Sequence, residues 1–338
     1  MTTRKLNVLM LFDVPYTPPN DLDYTTFMIG DEWQDERDVM RTLLKLGHTV
    51  TPFGVFDDIQ PLIDVVRRLK PDVIFNQCES FSGDRAQEPN LPALLELLGV
   101  PYTGASPESL ALCKDKGLSK KLLAYHHVRV PRFAVSLRER PRLAELKRFV
   151  YPGIIKPLGR DASEGIAQRS LVTSEKECLE RVRYIHEKLG TDAILEEFID
   201  GRELYVGVLG TGRLTVLPPR ELHFRQLPEG APRVLTYKAK WDERYRRKYG
   251  IDSEPARDLD PRTLTHLSDT CKEVYRLFKL RGYARIDLRL GPADDCVFIE
   301  INPNPSIKRR DDFAAAARRA GISYEELIDR IVHLPLAG

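Results

Sequence analysis

Apolar residues along this chain keep changing rhythm, and the changes mark out elements. Residues 7–12 form an apolar run that reads as a buried strand, 32–46 carry helical spacing up to Gly47, and 49–55 read as a second strand. Helical spacing returns over 59–69, a short β-branched run (DVIFN, 72–76) follows Lys70-Pro71, and 91–98 form a helix stopped by Gly99. This β-α-β-α-β order predicts a parallel sheet with helices on both faces. No G-x-G-x-x-G follows the first strand, so a dinucleotide site has no phosphate loop there.

The middle of the chain has another pattern. Residues 151–156 read as a strand that enters the loop PLGRDASEG, and 166–172 resume strand character. Ser174-x-x-Glu177 is a capping box for a helix with Leu179, Val182, Ile185 and Leu189 on one face, closed by Gly190. Two strands follow, 193–199 and 203–209, around the turn Asp200-Gly201, which makes this an α+β module. Later come a strand at 214–217 and an aperiodic, mixed-charge stretch at 238–257 that reads as an exposed loop or flap. A long helix then places Leu264, Leu267, Cys271, Val274 and Phe278 on one face, and Gly282 ends it.

Composition narrows the class. A chain of 338 residues, 42% hydrophobic and 30% charged, allows two or three domains. With 52 Lys+Arg against 50 Asp+Glu, the net charge of +2 creates no field for a polyanion, and RYRRK (244–248) reads as a solvated face; no nucleic-acid partner is expected. Five scattered cysteines without C-x-x-C suggest neither a disulfide framework nor a zinc cluster. No apolar run approaches the roughly 18 residues of a membrane span, so a soluble, cytoplasmic protein without a membrane partner is expected.

Three segments carry chemistry. In YARIDLRLGPADDCVFIEINP (283–303), two alternating runs flank a turn, and placing Asp287 opposite Glu300 pairs Ile286 with Ile301, Leu288 with Ile299 and Leu290 with Val297 on one face. The other face then presents Arg285, Asp287, Glu300 and Asn302, oxygen ligands suited to a hard cation such as Mg²⁺; alone, it reads equally as a solvent-exposed hairpin face. IIKPLGRDASEGI (154–166) offers Lys156 and a glycine-bearing loop to a phosphate chain, although a surface turn accounts for it as well, and it does not match a P-loop. ILEEFIDGREL (194–204) offers backbone to a purine and Glu203 to a ribose, or is simply an acidic hairpin.

Together and in order, these segments resemble the ATP-grasp superfamily, and within it the D-alanine:D-alanine ligase group. KPLGRDASEGI resembles that group's phosphate loop, EEFIDGRELYVGVLG its hinge, ARIDLRL with FIEINPNPS its R-x-D and E-x-N-x-x-P-G motifs, and PYTGASPESLALCKDKGLSKKLL the opening of its central domain. The resemblance implies an ATP-grasp fold, α/β and α+β, with a Rossmann-like (pre-ATP-grasp) parallel-sheet domain at 1–114, a central subdomain at 115–195 and a C-terminal subdomain at 196–338. It further implies Lys116, Lys156 and Lys240 on ATP phosphates, and the Ser163-Glu164-Gly165 loop closing over them. Glu196, Glu197, Phe198 and Ile199 would grip adenine, with Glu203 on ribose. Asp287, Glu300 and Asn302 would bind two Mg²⁺, with Mn²⁺ as an alternative.

The chemistry implied is carboxylate activation to an acyl phosphate followed by amine attack, with Arg285 and a backbone N–H near Ser306 stabilising the oxyanion. The partners would be two small amino-acid-like substrates and a second copy of the chain in a homodimer. A D-alanine:D-alanine ligase proper, a phosphotransferase that forms no amide and a non-catalytic ATP-binding regulator are the alternatives.

The sequence departs from the group where substrate is read. Ser306 is followed by Lys308, Arg309 and Arg310, a cationic run suited to a carboxylate-rich or phosphorylated amine substrate, or else a solvated loop. The N-terminal glycine-rich segment is absent, leaving Asp13, Glu32 and Glu36 as candidates for its glutamate. Ala162 and Trp241 replace residues of a lock between loop and lid, and NQCESFSGD (76–84) lacks the group's histidine.

Overall fold

The computed structural model describes residues 4–18, 23–24, 27–141, 143–160, 163–291 and 295–337. Three strands, β1 (Asn7–Asp13), β2 (Thr49–Val55) and β3 (Val73–Asn76), form a parallel sheet in the order β2-β1-β3. Helices α1 (Gln34–Lys45), α2 (Gln60–Leu69) and α3 (Asn90–Leu97) cover it. Val8, Met10 and Phe12 pack against Val39 and Leu43 on one face, while Leu9 and Leu11 pack against Leu62, Val65 and Leu91 on the other. An interior strand buried on both sides needs this uninterrupted apolar run.

Two helices, α4 (Pro107–Lys114) and α5 (Lys116–Tyr125), meet at Asp115, whose carboxylate accepts from the Leu118 N–H at 2.8 Å and caps α5. Beyond them β4 (Phe133–Ser136), β5 (Gly153–Pro157), β6 (Leu171–Val172) and β7 (Ala193–Glu197) form an antiparallel sheet in the order β4-β7-β5-β6. Helices α6 (Leu143–Lys147) and α7 (Glu175–Tyr184) lie on one face, where Cys178 and Val182 pack on Ala134, Ile155 and Leu195. Strand alternation leaves Ile154, Lys156 and Glu196 on the opposite face.

The third sheet holds β8 (Arg202–Leu209), β9 (Thr215–Val216), β10 (Arg220–Phe224), β11 (Ile251–Pro255), β12 (Tyr283–Leu290) and β13 (Cys296–Pro303), in the order β11-β10-β8-β12-β13 with β9 on β8. Between β10 and β11 run α8 (Tyr237–Trp241) and α9 (Glu243–Tyr249). Helix α10 (Pro261–Leu277) buries Leu267, Cys271 and Val274 against Leu204, Val206, Ile286 and Leu288. The chain then returns: α11 (Asp312–Arg319) and α12 (Tyr324–His333) pack Phe313, Leu327 and Ile331 into the core under the first sheet. All five cysteines are free and buried, and no helix among the described residues is long and apolar enough to cross a membrane.

Four expectations change. Strands β7 and β8 do not form a hairpin; they belong to different sheets, so the acidic segment between them is a crossing. The stretch 238–257 is not a loop but α8, α9 and edge strand β11, short elements whose charged faces hide their period. On α10, Leu264 is 39% exposed and stands outside the apolar face. The β12–β13 register holds for Arg285–Asn302, Ile286–Ile301 and Asp287–Glu300 and then slips by one at a bulge, pairing Leu288 with Phe298 and Leu290 with Cys296. Ile299 is the extra residue, and because Val297, Phe298 and Ile299 are all apolar the pattern could not reveal the slip. Of the hairpin turn, residues 292–294 lie outside the described residues.

Candidate active site

The second and third sheets turn their inner faces toward one another across a cleft. Lys116, Lys156, Ser163, Glu203, Lys240, Arg285, Asp287 and Glu300 all line it, together with Glu196 and Glu197 of β7 and Phe198 and Ile199 of the crossing. Residues from five separate sequence segments therefore meet in one place.

On the cleft floor, Lys156 Nζ donates to Glu196 Oε2 at 2.8 Å and Lys120 Nζ lies 2.8 Å from Glu196 Oε1. Lys120 is 1% exposed and also donates to the Ile299 carbonyl at 2.9 Å, the one that the bulge turns inward. Burial raises the Glu196 pKa, but Lys120 and Lys156 outweigh it and hold the carboxyl down to about 2. Glu196 is thus committed to two lysines, and the Glu197 carboxylate faces outward to Arg132 Nε at 3.1 Å. Both carboxylates are thus paired within the protein, and Phe198 and Ile199 line the cleft beside them. Lys120 escaped the sequence reading although it lies four residues after Lys116, one turn further along the same helix.

Around the loop after β5, Lys116 Nζ donates to the Arg160 carbonyl at 2.6 Å, and Arg160 pairs with Glu164. Ser163 (φ 61°) and Gly165 (φ 73°) take left-handed conformations, and the Ile166 N–H closes the turn on the Ser163 carbonyl at 3.0 Å. Tyr237 N–H donates to the Ile166 carbonyl at 2.9 Å, so this loop and helix α8 are joined through backbone. Side-chain replacements at Trp241 do not remove that link; Ala162 lies outside the described residues.

Opposite, β12 and β13 present the oxygen ligands. Arg285 holds Asp287 with both ends, Nε to Oδ1 at 2.7 Å and Nη2 to Oδ2 at 2.8 Å, and Asn302 Nδ2 donates to Oδ2 at 3.0 Å. Burial nonetheless pushes the Asp287 pKa up to about 6 against the pull of Arg285. Burial acts on Glu300 too, but Lys116, Lys156, Lys240 and Arg285 overcome it and hold its pKa below the ordinary value. No hydrogen bond among the described residues engages the Glu300 carboxylate, which leaves it free in the cleft. The donor set of two carboxylates and an amide oxygen fits Mg²⁺, provided phosphate oxygens complete the shell; no cluster of three His, Cys, Asp or Glu exists among the described residues. Lys240, a further cleft cation, lies over the Trp241 ring and is lowered in pKa by burial and Arg285.

A second cavity of about 570 Å³ adjoins the first and shares Lys240 and Arg285 with it. Ser306 and Lys308 line it, with Asp311 and Asp312 beside them. Ser306 Oγ stands 2.8 Å from Asp35 Oδ2 and 2.6 Å from Asp311 Oδ2. One hydroxyl proton cannot serve both carboxylates, and Asp35, pushed up to about 6 by burial, is the group able to hold the second.

The cationic run does not act together. Arg309 is turned away: its N–H donates to Asp38 at 3.1 Å, its guanidinium reaches Glu325 at 3.3 Å and stacks on Tyr324, pinning α1 to α12. Arg310 is exposed and lines neither cavity. Of the N-terminal acids, Asp13 accepts from the Glu79 N–H at 2.8 Å, Glu32 is exposed, and Glu36 is raised to about 7 by burial with help from Asp35.

Known proteins bear on this geometry. A family model described as the D-ala D-ala ligase C-terminus matches residues 112–333. The uncharacterized protein y4sG of Sinorhizobium fredii is 34% identical over 260 residues, covering 77% of this chain and 73% of that protein. The D-alanine–D-alanine ligase of Gluconobacter oxydans is 30% identical over 299 residues, covering 88% of this chain and 92% of the ligase. The crystal structure of D-alanine–D-alanine ligase from Bacillus anthracis complexed with ATP superposes with a TM-score of 0.73 at 18% identity, over 98% of this chain and 97% of that one. The VanG D-Ala:D-Ser ligase from Enterococcus faecalis gives 0.72 at 19% identity, over 98% and 100%. The chain therefore belongs to the D-alanine–D-alanine ligase family of ATP-grasp ligases.

Proposed function

We propose that the protein is an ADP-forming carboxylate–amine ligase that joins two amino-acid-like substrates through an acyl phosphate. The observation that carries this reading is the meeting, in one cleft, of Lys116, Lys156 and Lys240 with Arg285, Asp287 and the free carboxylate of Glu300. Mg²⁺ held by Asp287, Glu300 and Asn302 would supply charge neutralisation for a triphosphate. Lys116, Lys156 and Lys240 would bind the phosphate chain, and the Ser163–Gly165 turn would cover it. Arg285 borders both cavities and would face the carboxyl group being activated, offering its remaining N–H groups to the developing oxyanion. Closure of the phosphate loop with α8 would exclude water, which otherwise hydrolyses an acyl phosphate.

Substrates would occupy the second cavity. Lys308 there suits a carboxylate, while Asp311 and Asp312 set it apart from a purely cationic pocket. A D-alanine-specific enzyme is the second reading, favoured by the name of the Gluconobacter relative, a D-alanine–D-alanine ligase. The test is phosphate and ADP release with Mg-ATP across D- and L-amino acids, singly and in pairs, with mass spectrometry of products. Release that requires a pair and yields a dehydrated conjugate is expected. ADP formation with a carboxylate alone and no amide would replace the ligase by a phosphotransferase, and a response to D-alanine alone would favour the second reading.

A further inference from the structure

One buried cation in the first cleft has no part in the chemistry above. Arg289, on β12 two residues beyond Asp287, is 7% exposed. Its Nη1 donates to the Ile199 carbonyl at 3.0 Å, and its Nη2 donates to Glu203 Oε2 at 2.6 Å and to the Arg233 carbonyl at 2.7 Å. The guanidinium also lies 5.2 Å from the centre of the Phe198 ring. One planar group thus gathers the crossing between the sheets, the acid at the start of β8, and the segment that leads into α8. The other Glu203 oxygen, Oε1, accepts from the Tyr205 hydroxyl at 3.0 Å.

We propose that Arg289 is a positioning residue for nucleotide: it orients the Glu203 carboxylate toward a ribose and fixes the Phe198–Ile199 segment as the wall against the base. The proposal rests on the cleft being a nucleotide site. Three arguments support it. Each carboxylate oxygen of Glu203 keeps a lone pair after its bond to Arg289 or Tyr205, so the group still accepts from ribose hydroxyls but cannot rotate away. A carboxylate fixed before the ligand arrives costs less to order on binding. And because Arg289 holds the Ile199 carbonyl, it fixes the orientation of the peptide that a base would face, so the arginine shapes what the wall offers. Lysine could not replace it, since three carbonyl and carboxylate oxygens in a fan match a planar fork and not a point charge.

The experiment compares wild type with Arg289→Met, Arg289→Lys and Glu203→Gln. ATP and 2′-deoxy-ATP affinities are measured by calorimetry without other substrates, followed by steady-state kinetics and Tm. Arg289→Met is expected to weaken ATP binding about tenfold, with the loss in KM for ATP and not in kcat, and to shrink the preference for ATP over 2′-deoxy-ATP. Arg289→Lys should recover affinity in part but not the preference, and Glu203→Gln should lose the preference too. If Arg289→Met does not fold, Arg289→Lys and Glu203→Gln decide. An unchanged ATP to 2′-deoxy-ATP ratio, with Tm lowered or not, overturns the positioning role and leaves the ligase reading intact. Failure of the wild type to bind ATP overturns both.

Discussion

At the scale of single residues, the cleft is a contest between burial and neighbouring charge. Glu300 is the clearest case: four cations hold its pKa below the ordinary value against the cost of leaving water, although it is half-buried, and nothing among the described residues hydrogen-bonds it. Glu300→Gln should abolish ADP formation while far-UV circular dichroism and Tm stay near wild type; normal turnover would remove Glu300 from the metal set. Asp287 tips the other way. Its folded pKa of about 6 lies above the ordinary 3.8, so in that window the folded state binds more protons than the unfolded chain, and stability falls as pH rises through it. A divalent cation competes with that proton. The Mg²⁺-induced rise in Tm should therefore be larger near about pH 7.5 than near about pH 5, and equal rises would mean that Mg²⁺ does not use Asp287. Most of these residues were legible in the sequence because the motifs carry them at fixed spacing. The cationic run was not: Lys308, Arg309 and Arg310 are consecutive, but a loop backbone sends each in its own direction, so only one reaches the cavity.

At the scale of elements, the strands and long helices followed from apolar rhythm, and the exceptions share a cause. A bulge, a crossing between sheets and two short charged helices each leave composition unchanged while altering who neighbours whom. The bulge matters most. Core-facing residues of β13 are Cys296 and Phe298 before it and Ile301 after it, so the slip reverses alternation and lets Glu300 leave the core side. The phosphate loop is the element most sensitive to one atom. A Cβ on Gly165 would stand 2.7 Å from Pro157 Cγ and 2.8 Å from Leu189 Cδ1, with φ at +73°. Gly165→Ala should impose about 1–3 kcal/mol of strain on the loop and raise KM for ATP several-fold, with global Tm little affected. Unchanged KM would show that the loop tolerates the shift.

At the scale of the molecule, small and polar contacts join the three sheets in addition to the apolar core that brings Leu209 and Tyr283 together with Val8 and Phe75. Gly104 is one: its left-handed backbone (φ 93°) lets Asn304 approach, and Asn304 Oδ1 accepts from the Ala105 N–H at 2.8 Å. Lys120 is the deepest, since it sits on α5, pairs with Glu196 of the second sheet and bonds the Ile299 carbonyl of the third. Lys120→Met should cost about 3–5 kcal/mol, because it strips one cation from a buried carboxylate, and the denaturant midpoint should fall accordingly. A change below about 1 kcal/mol would mean that Lys156 alone satisfies Glu196.

That lysine also decides what kind of machine the cleft can be. A jaw opens by swinging its two halves apart, but here both halves are riveted at the back by one ammonium group that would be stranded between them if they parted. Entry through the front, with the turn at Ser163 and helix α8 lifting together on their shared Tyr237–Ile166 bond, would leave that rivet in place. A cycle of that kind would change the molecule's silhouette little, because only a few residues would lift.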